Sequence, residues 1–136
     1  DNSHLIIETV KRLDKISKEL YIQSKSYDNI IAQSKQKEDM LKHIPSIQPI
    51  LNKQLTRIAS YFGWRKDPVY KVRKHHDGID FTAPKGTPIH ATGDGIVSLV
   101  KKSRRGYGNQ IEINHGYGYT SKYAHMARFN VKLGQK

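Results

Sequence analysis

Apolar residues recur every seven positions at Ile6, Leu13, Leu20 and Tyr27. Val10, Ile16, Ile30 and Ile31 join on adjoining positions, and Leu41 resumes the series. At about 3.6 residues per helical turn these positions share one stripe, so the pattern predicts a long helix over residues 1–44. Asp1, Asn2 and Ser3 offer side chains that can cap its start, and neither Gly nor Pro interrupts it before Pro45. Ser34 and Lys37 weaken the seam toward its end. The spacing fits a short coiled coil and a helix packed on its own domain equally well. Pairing suits it better than chemistry, so residues 1–44 are the expected surface for self-association or for a partner protein.

Pro45 and Pro49 end the helix and force an extended connector. A short helix is expected around Leu51 to Ala59. Beyond it the texture changes to brief β-rich runs between turn signals: PKG and GDG flank TPIHAT, GIVSLV follows, RRGYGN introduces QIEINH, and GYG leads into YTSKYAHM. These predict four to six strands in an antiparallel barrel or sandwich. The expected class is α+β, a long helix followed by a mainly antiparallel β domain. Its parts are a helical segment 1–44, a connector 45–57 and a β domain 58–136.

Composition narrows the chemistry. The 136 residues suffice for one modest core. With no cysteine, a metal would have to sit on His, Asp or Glu. No run approaches the roughly 18 apolar residues of a membrane span, and Asp1 does not open a signal-peptide pattern. The chain is therefore expected to be either cytosolic or a soluble piece of an exported protein. Charge divides unevenly: residues 1–44 carry 8 Lys/Arg against 7 Asp/Glu, and residues 45–136 carry 16 against 5. A surplus of that sign attracts polyanions such as nucleic acid, anionic lipid or a charged wall polymer, and it also serves solubility.

The most histidine-dense part of the sequence holds HHDGIDF, His75 to Phe81, in which His76 and Asp80 stand at H-x-x-x-D spacing. In extended backbone, residues four apart are about 13 Å from each other. His and Asp bind a metal at only about 2.0–2.2 Å, so sharing one ion requires a bend. DGID is a poor helical run, and Gly78 is the residue expected to make the turn through its tolerance of positive φ. Three uses of such a pair remain open: a His–Asp hydrogen bond or ion pair, a metal site, and a metal-free catalytic couple.

The surrounding segments, taken in order, are SYFGWRKDP, HHDGIDF, APKGTPIHATGDGIV, YGNQIEINHGYGYTSKYAHM and VKLGQK. Together, from about Ile58 to Lys136, they resemble the lysostaphin-like (LytM-like) zinc metallopeptidases that cut peptide bonds in peptidoglycan. The resemblance implies a compact antiparallel β-fold with a zinc ion at the floor of a groove. It puts His76 and Asp80 on two zinc ligands, and His125, in the Y-x-H run Tyr123-Ala124-His125, on a catalytic histidine beside the metal. Tyr70 is a further candidate, as a phenolic donor to the developing oxyanion. Two imidazoles and one carboxylate on zinc leave a position for water, which a neighbouring histidine can orient or deprotonate.

Cooler expectations attach to the other residues. His75 is one place off the motif and would coordinate only in a shifted register. His90 and His115 are expected to pack or hydrogen-bond inside strands, and His4 and His43 to face solvent on the helix. Arg65 is expected to brace a nearby loop.

One departure from the family pattern matters. The resemblance calls for a final H-x-H that supplies the third ligand and a second catalytic histidine, and no H-x-H occurs in the 136 residues. The expectation is a C-terminally truncated domain, with zinc bound weakly or not at all, no hydrolysis, and an unpaired sheet edge. The sequence is thus read as a zinc endopeptidase acting on peptide cross-links of peptidoglycan outside the cytoplasm, in the periplasm or cell envelope, with the peptidoglycan peptide as partner. A non-enzymatic LytM-like regulator of a cell-wall amidase is the first alternative. A basic nucleic-acid-binding β-barrel is the second, disfavoured because its aromatics do not interleave with Lys/Arg in a base-stacking pattern.

Overall fold

The computed structural model describes residues 2–66 and 71–136. They form two compact units, Asp1–Lys42 and His43–Lys136. The first unit is a helix, α1 (Asn2–His43), none of whose residues is buried. Its length follows from the unbroken helical period. Ion pairs at i,i+4 spacing stiffen its surface: Arg12 with Glu8 at 2.7 Å, Lys15 with Glu19 at 3.9 Å and Lys42 with Glu38 at 3.2 Å. The apolar stripe lies open, with Ile6 61%, Leu13 57%, Leu20 63% and Tyr27 57% exposed. Among the described residues no helix is long and apolar enough to cross a membrane.

α1 ends just before Ile44-Pro45, where the residue preceding proline is pushed out of helical backbone. His43 is not fully solvent-facing as expected, because its ring meets Tyr117 edge-on at 5.6 Å between centroids. The connector then runs against the 90–92 segment: the backbone N–H groups of Ser46 and Ile47 donate to the Thr92 carbonyl, and that of His90 donates to the Pro49 carbonyl. The helix expected around residues 51–59 shrinks to one 3-10 turn, Asn52–Gln54. Residues from Arg57 onward are extended instead, because Ile58 and Phe81 pair across an antiparallel ladder.

Seven short strands follow among the described residues, more than the expected four to six, in three small antiparallel sheets rather than one barrel or sandwich. They are β1 (Arg57–Ser60), β2 (Gly63–Lys66), β3 (Arg73–His76), β4 (Asp80–Thr82), β5 (Ile96–Lys101), β6 (Gln110–Gly116) and β7 (Tyr119–Tyr123). The sheets are β1–β4, β2–β3 and β5–β6–β7. TPIHAT forms no strand, and His90 is exposed there rather than packed within a sheet. Pro88 within it and Pro84 shortly before it remove ladder donors.

The core sits on the third sheet. Val97, Ile111 and Ile113 are buried, with Val100, Tyr123, Met126, Phe129 and Val131 packed against them. β6 alternates as its sequence requires, burying Ile111, Ile113 and His115 while Asn114 and Gly116 face out. The β6–β7 turn is built on Tyr117 and Gly118, both at positive φ (51° and 84°), the geometry that matches the twist of a tight hairpin. The outer edge of β5 is engaged at Val97, which donates to the Gln135 carbonyl and accepts from the Gly134 N–H.

Candidate functional site

β1 and β2 are separated by two residues, Tyr61 and Phe62, and β3 and β4 by three, Asp77 to Ile79. Because β1 pairs β4 and β2 pairs β3, these four strands form one long antiparallel ribbon broken in the middle. His76 is the last residue before the break and Asp80 the first after it. The break replaces about 13 Å of extended chain by direct contact: His76 Nε2 lies 3.3 Å from Asp80 Oδ1. The chain bends at Gly78, as expected, but without the positive φ expected there. Gly63, at φ 117°, is the positive-φ glycine of the ribbon, and its Cα pairs with that of His76 across the ladder.

The imidazole is oriented from behind. His76 Nδ1 is 2.9 Å from the Tyr61 carbonyl, which can only accept, so Nδ1 carries a proton and donates it. Ser60 Oγ stands 3.4 Å from the same nitrogen. In the neutral ring, Nε2 then presents a lone pair toward a carboxylate oxygen. Two acceptors face each other across 3.3 Å, an arrangement that a cation between them or a proton on Nε2 reconciles. The Asp80 carboxylate is held on its other oxygen by Arg65, whose Nη2 is 3.6 Å from Oδ2. Arg65 therefore braces Asp80 itself.

His75 turns away from this pair. Its Nδ1 is 2.6 Å from Asp77 Oδ1, and its ring meets Phe62 and Trp64 edge-on at 4.9 and 5.4 Å. Arg73 lies over the Trp64 ring at 5.6 Å.

His76, Asp80 and His125 line one open groove of about 1230 Å³. His125 follows β7 with left-handed backbone, φ 56°. A clamp from the β5–β6 loop holds it there: the His125 N–H donates to the Tyr107 carbonyl, the Met126 N–H to the Asn109 carbonyl, and Asn109 Nδ2 to the Met126 carbonyl at 3.0 Å. Lys122, on the same rim, pairs with Glu112 at 2.9 Å and reaches over the Tyr107 ring at 5.1 Å. The hydrogen bond to Glu112 raises the Lys122 pKa from its ordinary value, with the carboxylate's charge acting in the same direction. Tyr70 lies outside the described residues. Among the described residues no three His, Cys, Asp or Glu side chains converge as a metal cluster, so His76 and Asp80 form a two-donor set.

Two features were not foreseen in the sequence. The connector Pro45–Ile50 forms part of the groove wall, which local pattern cannot reveal because the contact is with residues some 40 positions away. The second is a buried polar chain beneath the groove. His115, 1% exposed, donates from Nδ1 to the Asp94 carbonyl at 2.8 Å, and its Nε2 is 2.7 Å from Ser121 Oγ. Ser121 Oγ is 3.0 Å from the Tyr123 hydroxyl, which also accepts from the Thr92 N–H at 2.9 Å. His115 is thus the satisfied interior histidine that its strand position suggested.

Residues 74–136 match the model of Peptidase family M23. The DD-carboxypeptidase/endopeptidase Mpg of Neisseria meningitidis serogroup B is 39% identical over 89 residues, covering 65% of this chain and 20% of that protein. The peptidoglycan DD-endopeptidase ShyA of Vibrio cholerae is 41% identical over 81 residues, covering 59% of this chain and 19% of that protein. A crystal structure of a zinc containing peptidase from Vibrio cholerae superposes with a TM-score of 0.55 at 37% identity, over 64% of this chain and 26% of that one. The chain therefore spans a fifth or so of the curated relatives' length. Residues 74–136, the stretch similar to Peptidase family M23, hold His76, Asp80 and His125.

Proposed function

We propose that residues 43–136 carry the groove and two ligands of a zinc endopeptidase that hydrolyses peptide cross-links of peptidoglycan in the cell envelope. The observation that carries this reading is the approach of His76 Nε2 to Asp80 Oδ1 at 3.3 Å, with the far side of the ring tied to a carbonyl. That donor set fits zinc: a neutral imidazole fixed in one tautomer, beside a carboxylate braced by Arg65. When bound, the ion supplies Lewis acidity toward a peptide carbonyl and toward water. The chain's own residues do the rest. The groove aligns an extended peptide, Arg65 keeps Asp80 in place, and His125 orients water or takes its proton. No third ligand joins His76 and Asp80 among the described residues, and the 136 residues alone are expected to bind zinc weakly and not to turn over.

The two-donor set is also the observation that favours a second reading, a non-enzymatic regulator that activates a cell-wall amidase. Digestion of cross-linked peptidoglycan separates the two. The enzyme reading predicts that zinc-loaded protein carrying an H-x-H motif converts cross-linked muropeptides to uncross-linked ones. It also predicts loss of about 10²-fold or more in rate on His125→Ala. Unchanged cross-linking, together with amidase stimulation that survives His76→Ala, would establish the regulator instead.

A further inference from the structure

A smaller recess of about 190 Å³ adjoins the groove, lined by Arg65, Lys74, His75, His76, Asp77 and Tyr107. Arg65, His76, Asp77 and Tyr107 line both, so the recess is a side branch at the imidazole that faces Asp80. Its electrostatics are unusual for a folded ladder. Arg65 and Lys74 are Cα partners across β2–β3, so their side chains rise from the same face of the ribbon. Directly opposed residues have Cβ atoms about 4.5–5.5 Å apart, and like charges placed there repel.

The fold relieves that repulsion on one side only. Arg65 is engaged by Asp80 at 3.6 Å. Asp77, the carboxylate within the recess, is taken by His75 at 2.6 Å. Lys74 is exposed and has no ion-pair partner among the described residues. With Arg65 set against Asp80 and Asp77 against His75, Lys74 is the permanent cation of the recess left without a counter-charge among the described residues. A monoanion matches that surplus, whereas a phosphate dianion exceeds it.

We propose that this recess is a subsite for a free carboxylate of the peptide substrate, gripped by Lys74 with Arg65 behind it, while Tyr107 closes the far wall. The inference rests on the reading that a peptide occupies the groove, and it names what that peptide must carry: a carboxylate next to the residue held at His76. The group bound is one carboxylate on one amino-acid residue, in keeping with the small volume.

Trp64 is the single tryptophan of the chain and packs edge-on against His75, so its fluorescence reports occupancy without any hydrolysis. The test is a titration of a D-amino-acid dipeptide as the free acid and as its C-terminal amide, at low salt. The acid is expected to bind about fivefold more tightly than the amide, the scale of an exposed ion pair. Lys74→Gln is expected to abolish that preference and Lys74→Arg to keep it. Equal binding of acid and amide, no binding of either, or a preference that survives Lys74→Gln would overturn the proposal. So would inorganic phosphate that competes as well as the dipeptide, since that marks a general anion site. Lys74→Gln should also leave the thermal midpoint unchanged or slightly raised, because it removes a repulsion; a clear fall would mean that Lys74 serves the fold. Acid preference without any peptidoglycan hydrolysis would retain the subsite and remove the endopeptidase reading.

Discussion

α1 and the stranded unit solve the problem of apolar side chains in opposite ways. The helix carries a regular stripe of large aliphatics and buries none of them, whereas His43–Lys136 gathers Val97, Ile111 and Ile113 into a small core and hangs the chemistry on its rim. The charge surplus follows the same division, lying almost wholly in residues 45–136. The contrast teaches that a strong sequence pattern and a strong fold contribution are separate things. The helix has the clearer period, but the irregular strand region holds the packed interior and the site.

The sharpest way to break this contrast is to empty the core. Ile113→Ala should destabilise the stranded unit by about 2–5 kcal/mol, because it removes buried methyl groups and leaves a cavity. Near-ultraviolet dichroism and proton chemical-shift dispersion should collapse while most helical signal at 222 nm survives. Loss of both together would show that the two units fold as one.

Removing His115 comes next. His115→Leu strands the Asp94 carbonyl and breaks the chain to Ser121 and Tyr123 beneath the groove. Each buried polar group left unpaired costs about 1–3 kcal/mol. Chemical denaturation should show a loss of that order, smaller than for the core cavity, and a loss near zero would mean that water takes over those partners.

The smallest effect belongs to the helix. Leu13→Ala alters a residue that is 57% exposed, and surface changes of this kind usually fall within about 0.5 kcal/mol. Dilute protein should melt unchanged. A large, concentration-dependent fall in helical signal would instead show that the stripe is buried in pairing between copies, which sedimentation would confirm.

How much of this was legible in the sequence depends on how local the cause is. The long helix, β5, β6 and β7 could be read because period and turn chemistry act over a few residues. The 51–59 segment was misjudged because its strand is stabilised by Phe81 and Thr82, more than twenty positions on. His76 and Asp80 were identified as a pair from spacing and family resemblance, and the structure does join them. The bend at Gly78 was legible too, though not its φ, and nothing local announces that Gly63 would lie opposite His76. The pairing of Arg65 with Lys74 was invisible for the same reason: register is a long-range property.

The central claim is that the kinked ribbon holds one imidazole and one carboxylate for the same divalent ion. Calorimetric zinc titration tests it most directly, with His76→Ala, Asp80→Ala and His125→Ala alongside the parent chain. The account predicts weak binding by the 136 residues that vanishes with either of the first two substitutions and persists with the third. Tight binding indifferent to Asp80→Ala, or binding that disappears only with His125→Ala, would contradict it.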